Sequence, residues 1–212
     1  MGLNKNLVCA LLLCGGSLYG CATSTPQPSE PQPVVTTTTA PSTKKPAISE
    51  RTKRDYARAL AAIKAKRHKQ AERVLLEITQ AQPHLAGPHV NLGIVYHRTG
   101  RLKEAEQAFR SAIALNPKRP DTYNHLGIVL RAIGRFKEAH EVYGKALQLK
   151  PNYEYAHLNL GILYDLYLLN TSKALEHYEQ YQKLLVSEDK QVAKWIVDLK
   201  RRAKRTQRTA MR

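Results

Sequence analysis

An all-α repeat solenoid of about four two-helix units, closed by a C-terminal capping helix, is the fold this 212-residue sequence predicts. Three observations carry it. Leu92-Gly93-Ile94-Val95 returns as Leu126-Gly127-Ile128-Val129 and as Leu160-Gly161-Ile162-Leu163, at steps of 34 residues. Pro83, Pro117 and Pro151 keep the same step, and Ala105, Ala139 and Ala174 keep it to within one residue. A fixed period of this size is the signature of stacked supersecondary units. After the last unit, Val192, Trp195, Ile196 and Leu199 form an i, i+3, i+4, i+7 stripe, as one buried helix face would.

Residues 1–20 carry one charge, Lys5, before the apolar run LVCALLL, and so read as a secretory signal. The run is too short and too glycine-interrupted for a spanning helix, which needs about 20 apolar residues. LYGC, residues 18–21, resembles the lipobox of bacterial lipoproteins. That resemblance implies cleavage before Cys21 and acyl chains on Cys21, the one covalent group expected; no cofactor is. Ala22 stands where Asp would imply inner-membrane retention, so the expected place is the outer membrane, facing the periplasm. The alternative is ordinary cleavage near Ala22 and a soluble secreted chain. A myristoyl signal fails, because Asn6 occupies the Ser/Thr position. Cys9, Cys14 and Cys21 are the only cysteines, which leaves the mature domain without thiols for disulfides, metal or nucleophilic catalysis.

Residues 21–50 follow as a tether. TSTPQPSEPQPVVTTTTAPSTKKPAIS holds six of the 11 prolines and almost nothing apolar, so burial cannot offset the entropy of ordering it. In polyproline II form it reaches at most ~85 Å.

The repeat domain spans 51–186, with units at about 52–85, 86–119, 120–153 and 154–186. Gly93, Gly127 and Gly161 lie inside helices, where glycine costs about 1 kcal/mol against alanine. They are tolerable if a neighbouring helix approaches closely there. Ala71, Ala105, Ala139 and Ala174 are the small residues of the second helix. Phe109, Tyr143 and Tyr178 lie four residues after the last three alanines, on the same helical face. Gly100 and Gly134 suit left-handed C-caps, and the prolines end each second helix. Unit one is degenerate, with Arg58, Ala59 and Ala62 in place of the Leu-Gly-Tyr core. Unit four gains a residue near Leu169-Asn170 and lacks the closing proline.

This pattern resembles the tetratricopeptide repeat (TPR). The resemblance implies a right-handed superhelical solenoid whose first helices line a concave, partner-binding groove. Carried onto this sequence, the groove positions are Val90, Ile94 and His97; Asn124, Ile128 and Arg131; and Tyr155, Leu158, Ile162 and Asp165. The Lys/Asn clamp that some such domains use on a C-terminal carboxylate is missing, since isoleucine stands at its Asn position. An apolar strip or amphipathic helix with a few polar anchors is the expected occupant; alternatively the isoleucines pad neighbouring helices. Residues 187–205 are expected to form the cap, with Ser187 as N-cap, and 206–212 a basic disordered tail. The cap's alternative role is partner or interface binding.

The formal net charge of +17 is unevenly placed. Residues 51–70 hold eight Lys/Arg against Asp55, residues 191–212 eight against Asp198, and the 120 residues between nearly balance. No nucleic-acid recognition pattern accompanies the excess. An anionic envelope polymer or lipid surface is the expected counterpart, or else the charge only solvates the ends. The eight histidines scatter along the chain, and no phosphate loop, nucleophile elbow or metal motif is present. The sequence therefore predicts a non-enzymatic adaptor, presenting its groove to periplasmic or outer-membrane proteins. Its lipobox-plus-repeat architecture resembles the pilotin lipoproteins of type IV pilus assembly, in which a repeat domain helps a secretin ring assemble. An envelope tether that grips an anionic polymer or lipid through the basic ends is the alternative.

Overall fold

In the computed structural model residues 48–210 are described, and these form nine helices with no strand among them. The expected signal, Cys21 and the tether lie outside the described residues. Helices α1 (Glu50–Lys64) and α2 (His68–Ala81) make the first unit, α3 (Ala86–Arg98) and α4 (Leu102–Leu115) the second. Units three and four follow as α5 (Pro120–Ala132) with α6 (Phe136–Leu149), and α7 (Glu154–Leu166) with α8 (Thr171–Leu184). A ninth helix, α9 (Lys190–Ala210), closes the stack.

Each repeated residue type has a visible physical task. A Cβ at Gly93 would sit 2.6 Å from the Phe109 ring, and at Gly127 and Gly161 closer still to the rings of Tyr143 and Tyr178. The glycines therefore let an aromatic of the second helix lie flat on the first. Ala71, Ala105, Ala139 and Ala174 are fully buried at the same helix–helix seam. Pro83, Pro117 and Pro151 stand two residues beyond the second helices. The residues before them, Gln82, Asn116 and Lys150, are forced to extended φ of −139°, −146° and −142°.

Turns follow one geometry with different residues. Gly100 and Gly134 take φ of +78° and +82°, and the corresponding Lys66 and Leu169 take +57° and +50°. The latter two bear a side chain in a region that favours glycine.

Polar bonds lock neighbouring units. Arg101 donates to Glu72 at 2.5 Å, and Arg135, one repeat on, donates to Glu106 at 2.7 and 2.8 Å. On the first helices, Asn91 donates to the Tyr56 hydroxyl at 2.6 Å and Asn159 to Asn124 Oδ1 at 3.0 Å.

The cap behaves as expected in its first half and differs in its ends. Val192 and Leu199 are buried, and Trp195 lies 5.5 Å from the Tyr178 ring. Asp189, not Ser187, caps the helix: its Oδ1 accepts from the amides of Gln191 and Val192 at 2.9 and 3.2 Å. Gln182 holds Asp189 in place by bonding both its carbonyl and its amide. Helix α9 also runs to Ala210 instead of stopping near 205, so the basic segment begins as helix.

Candidate functional site

The concave side is built from the first helices α3, α5 and α7, whose equivalent residues stand 34 apart and so line up when units stack. Ile94, Ile128 and Ile162 form one such row. All three are half-buried and pack one side against the core, so they both pad the stack and offer an apolar strip. His97, Arg131 and Asp165 form the next row, one helical turn away. Leu158 is half-buried, and Tyr155 is exposed at the far end of α7.

Two groove residues expected from the pattern are interior instead. Val90 is 4 % exposed in the main core, and Asn124 is 3 % exposed, its amide oxygen taken by Asn159. Neither presents a side chain to a partner. Asp165 is engaged as well, since Arg202 of the cap donates to it at 2.7 Å. The usable strip is thus narrower: three isoleucines, His97 and Arg131, widened by Leu158 and Tyr155.

Arg131 is the cationic centre of this face. Its guanidinium lies 5.9 Å from the Tyr167 ring, and its Nε is buried without a partner, as is the Tyr143 hydroxyl. Burial pushes that hydroxyl up to about 12, an effect that neighbouring Arg131 partly opposes. Burial, then the charges of Arg131 and Arg98, hold the His97 imidazole below its ordinary value and so favour its neutral form.

One cluster was not legible as a unit in the sequence. Histidines that scatter along the chain meet between α6, α7 and α8. His157 Nδ1 and His177 Nδ1 lie 3.1 Å apart, and the His140 Nε2 and the Tyr164 hydroxyl 2.7 Å apart. The Tyr164 and His177 rings stack at 5.6 Å. His157 Nε2 reaches the Pro151 carbonyl at 3.0 Å, so it carries the proton and leaves Nδ1 as an acceptor for His177 Nδ1–H. Burial first, then His157, His140 and Lys173, depress the His177 imidazole to about 4. His140 holds the position of Glu72 and Glu106, so this cluster replaces the Arg–Glu bond of the earlier joints. The signal that could have found it is that break in the 34-residue register. Among the described residues no group of three or more His, Cys, Asp or Glu is placed to hold a metal ion.

Paired helices, glycine-seated aromatics and a concave first-helix row define a tetratricopeptide-type solenoid, right-handed and superhelical. Residues 84–152 match the tetratricopeptide repeat family. No curated relative matches the sequence. Among solved structures, that of pilF from Pseudomonas aeruginosa is 23% identical over 73% of this chain and 69% of its own, with a TM-score of 0.66. MamA from Desulfovibrio magneticus RS-1 is 20% identical over 78% and 92%, also at 0.66. YrrB, described as a TPR protein with an unusual peptide-binding site, is 21% identical over 67% and 72%, at 0.58. At these identities the likeness is one of fold. That fold suggests a protein-interaction scaffold, and such scaffolds are typically non-enzymatic and without cofactors.

Proposed function

We propose that this protein is a non-enzymatic adaptor, held at the periplasmic face of an outer membrane by lipid on Cys21, which presents its concave strip to envelope proteins. The observation that carries the binding role is the half-exposed row Ile94, Ile128 and Ile162, with Arg131 and His97 one turn away. An apolar row with a few polar groups beside it suits an amphipathic helix or extended peptide. A pilotin-like task in secretin assembly is the specific form of this role. It is supported by the lipobox-plus-repeat architecture and by the fold's likeness to pilF.

The test is Ile128→Glu in the central unit, where crosslinked capture of envelope proteins is lost while helicity and melting temperature stay near the parent's. The half-buried position lets a carboxylate reach water, which is why the fold survives. Arg131→Ala weakens capture less. Loss of the fold with Ile128→Glu would make the isoleucines padding only, and undiminished capture would move the partner elsewhere.

Membrane anchoring has its own test. In a Gram-negative host, the Cys21→Ser chain is expected to leave the membrane fraction or to remain uncleaved. Equal membrane recovery with identical mature mass for both chains would refute acylation at Cys21.

A further inference from the structure

The fourth unit breaks the pattern at its turn. Where units two and three have Thr99-Gly100-Arg101 and Ile133-Gly134-Arg135, this one has Tyr167-Leu168-Leu169-Asn170, directly after Leu166 at the end of α7. Leu169 takes the place of the glycine at φ +50°, a strained choice for a residue with a γ-branched side chain. Yet the side chain gains nothing from folding in exchange, because Leu169 is 80% exposed and Leu166 62%. Tyr167 and Leu168 complete a contiguous apolar knuckle, with Tyr167 lying 4.6 Å from the Phe136 ring. Strain and exposure together at one residue point to a use outside the folded domain.

A second, independent feature lies beside it. The apolar stripe of α9 is spent at Leu199, but the helix continues through Lys200, Arg201, Arg202, Lys204, Arg205 and Arg208 without an acidic residue. Arg202 ties this half to the knuckle by its 2.7 Å bond to Asp165, the residue preceding Leu166. Lys204, Arg205 and Arg208 are exposed and make no ion pair among the described residues. An exposed apolar knuckle next to a run of cations matches the two layers of a bilayer leaflet, acyl chains below and anionic head groups above. A protein groove would complement either feature, but charge without a single acidic residue favours a surface of uniform negative charge.

We infer that the knuckle Leu166–Leu169 and the basic half of α9 together form a site that docks on an anionic phospholipid surface. The site does not depend on the concave strip or on lipid at Cys21. It gives the solenoid a contact with the leaflet at its C-terminal end.

The test uses the full chain with Cys9, Cys14 and Cys21 replaced by serine and a polarity-sensitive fluorophore on Leu169→Cys. Any affinity of residues 1–47 for lipid leaves a probe at position 169 in water unless the knuckle itself inserts. With vesicles of phosphatidylglycerol and phosphatidylcholine in equal parts, emission rises several-fold and shifts to the blue. Vesicles of phosphatidylcholine alone leave it unchanged. Each basic residue near an anionic leaflet changes partitioning by about fivefold, so Lys204→Gln, Arg205→Gln and Arg208→Gln together weaken the response about a hundredfold. Salt at ~1 M, where the Debye length is about 3 Å, has a similar effect. A probe on Leu168→Cys repeats the measurement should the first variant fold poorly. No response to anionic vesicles, an equal response to neutral ones, or a response untouched by the triple substitution would overturn the inference. The first of these outcomes would leave the knuckle as a protein contact.

Discussion

Gly127→Leu is expected to destabilise the domain by about 1–2 kcal/mol, despite being a favourable exchange for an isolated helix. Leucine gains up to about 1 kcal/mol over glycine in helix propensity. Overpacking a filled core costs about 1–3 kcal/mol and occasionally more. The second effect wins here, because the added side chain meets the Tyr143 ring and that ring is fully buried with nowhere to swing. At this chain size each kcal/mol moves the melting temperature by about 2–4 °C, so a fall of several degrees is expected. Gly144 on α6 supplies the contrast. A Cβ there meets nothing within 4 Å, so Gly144→Ala should raise stability by roughly 1 kcal/mol. Thermal unfolding followed by circular dichroism checks both. A Gly127→Leu change below about 0.5 kcal/mol, ordinary for a surface site, would contradict the seating of the aromatic on the glycine.

Acid is expected to destabilise the folded domain in a defined window. His177 is held at about 4, chiefly by burial and then by His157, His140 and Lys173, against about 6.5 when unfolded. His125, His97 and His89 are also lowered, burial being the first cause in each. As pH falls from about 6.5 towards 4, the unfolded chain therefore binds protons that the folded chain refuses. More protons on the unfolded side mean that stability rises with pH, so it is highest above about 6.5, drops through the window and levels off for His177 below about 4. Within unit four, His157 and His177 share one proton between two Nδ1 atoms 3.1 Å apart, so a second proton at that contact sets N–H against N–H. His177→Gln should flatten the melting temperature against pH between 4 and 6.5. An unchanged slope would place the acid sensitivity at the other histidines.

The sequence by itself determined the repeat number, the helix pairs and the seams between them, because these depend on local rules. Proline two residues beyond a helix, glycine in a turn and an aromatic four residues after an alanine each act within one unit. Their 34-residue recurrence repeats the statement three times. The strip of isoleucines was legible for the same reason, as one position sampled by successive units.

Only the tertiary structure decided which residues of that strip face out. Val90 and Asn124 occupy the same repeat position on paper as Leu158, but lie inside because their neighbours differ. Asn124 has Asn159 opposite it to satisfy its amide, and a buried polar group requires such a partner. The occupation of Asp165 by Arg202, the pairing of His157 with His177 and that of His140 with Tyr164 are likewise contacts between residues 20 to 37 apart in the chain. Periodicity sets which residues share a helix face. Whether a given face meets water, a ring or a charge depends on the unit stacked against it, and that is a property of the assembled solenoid.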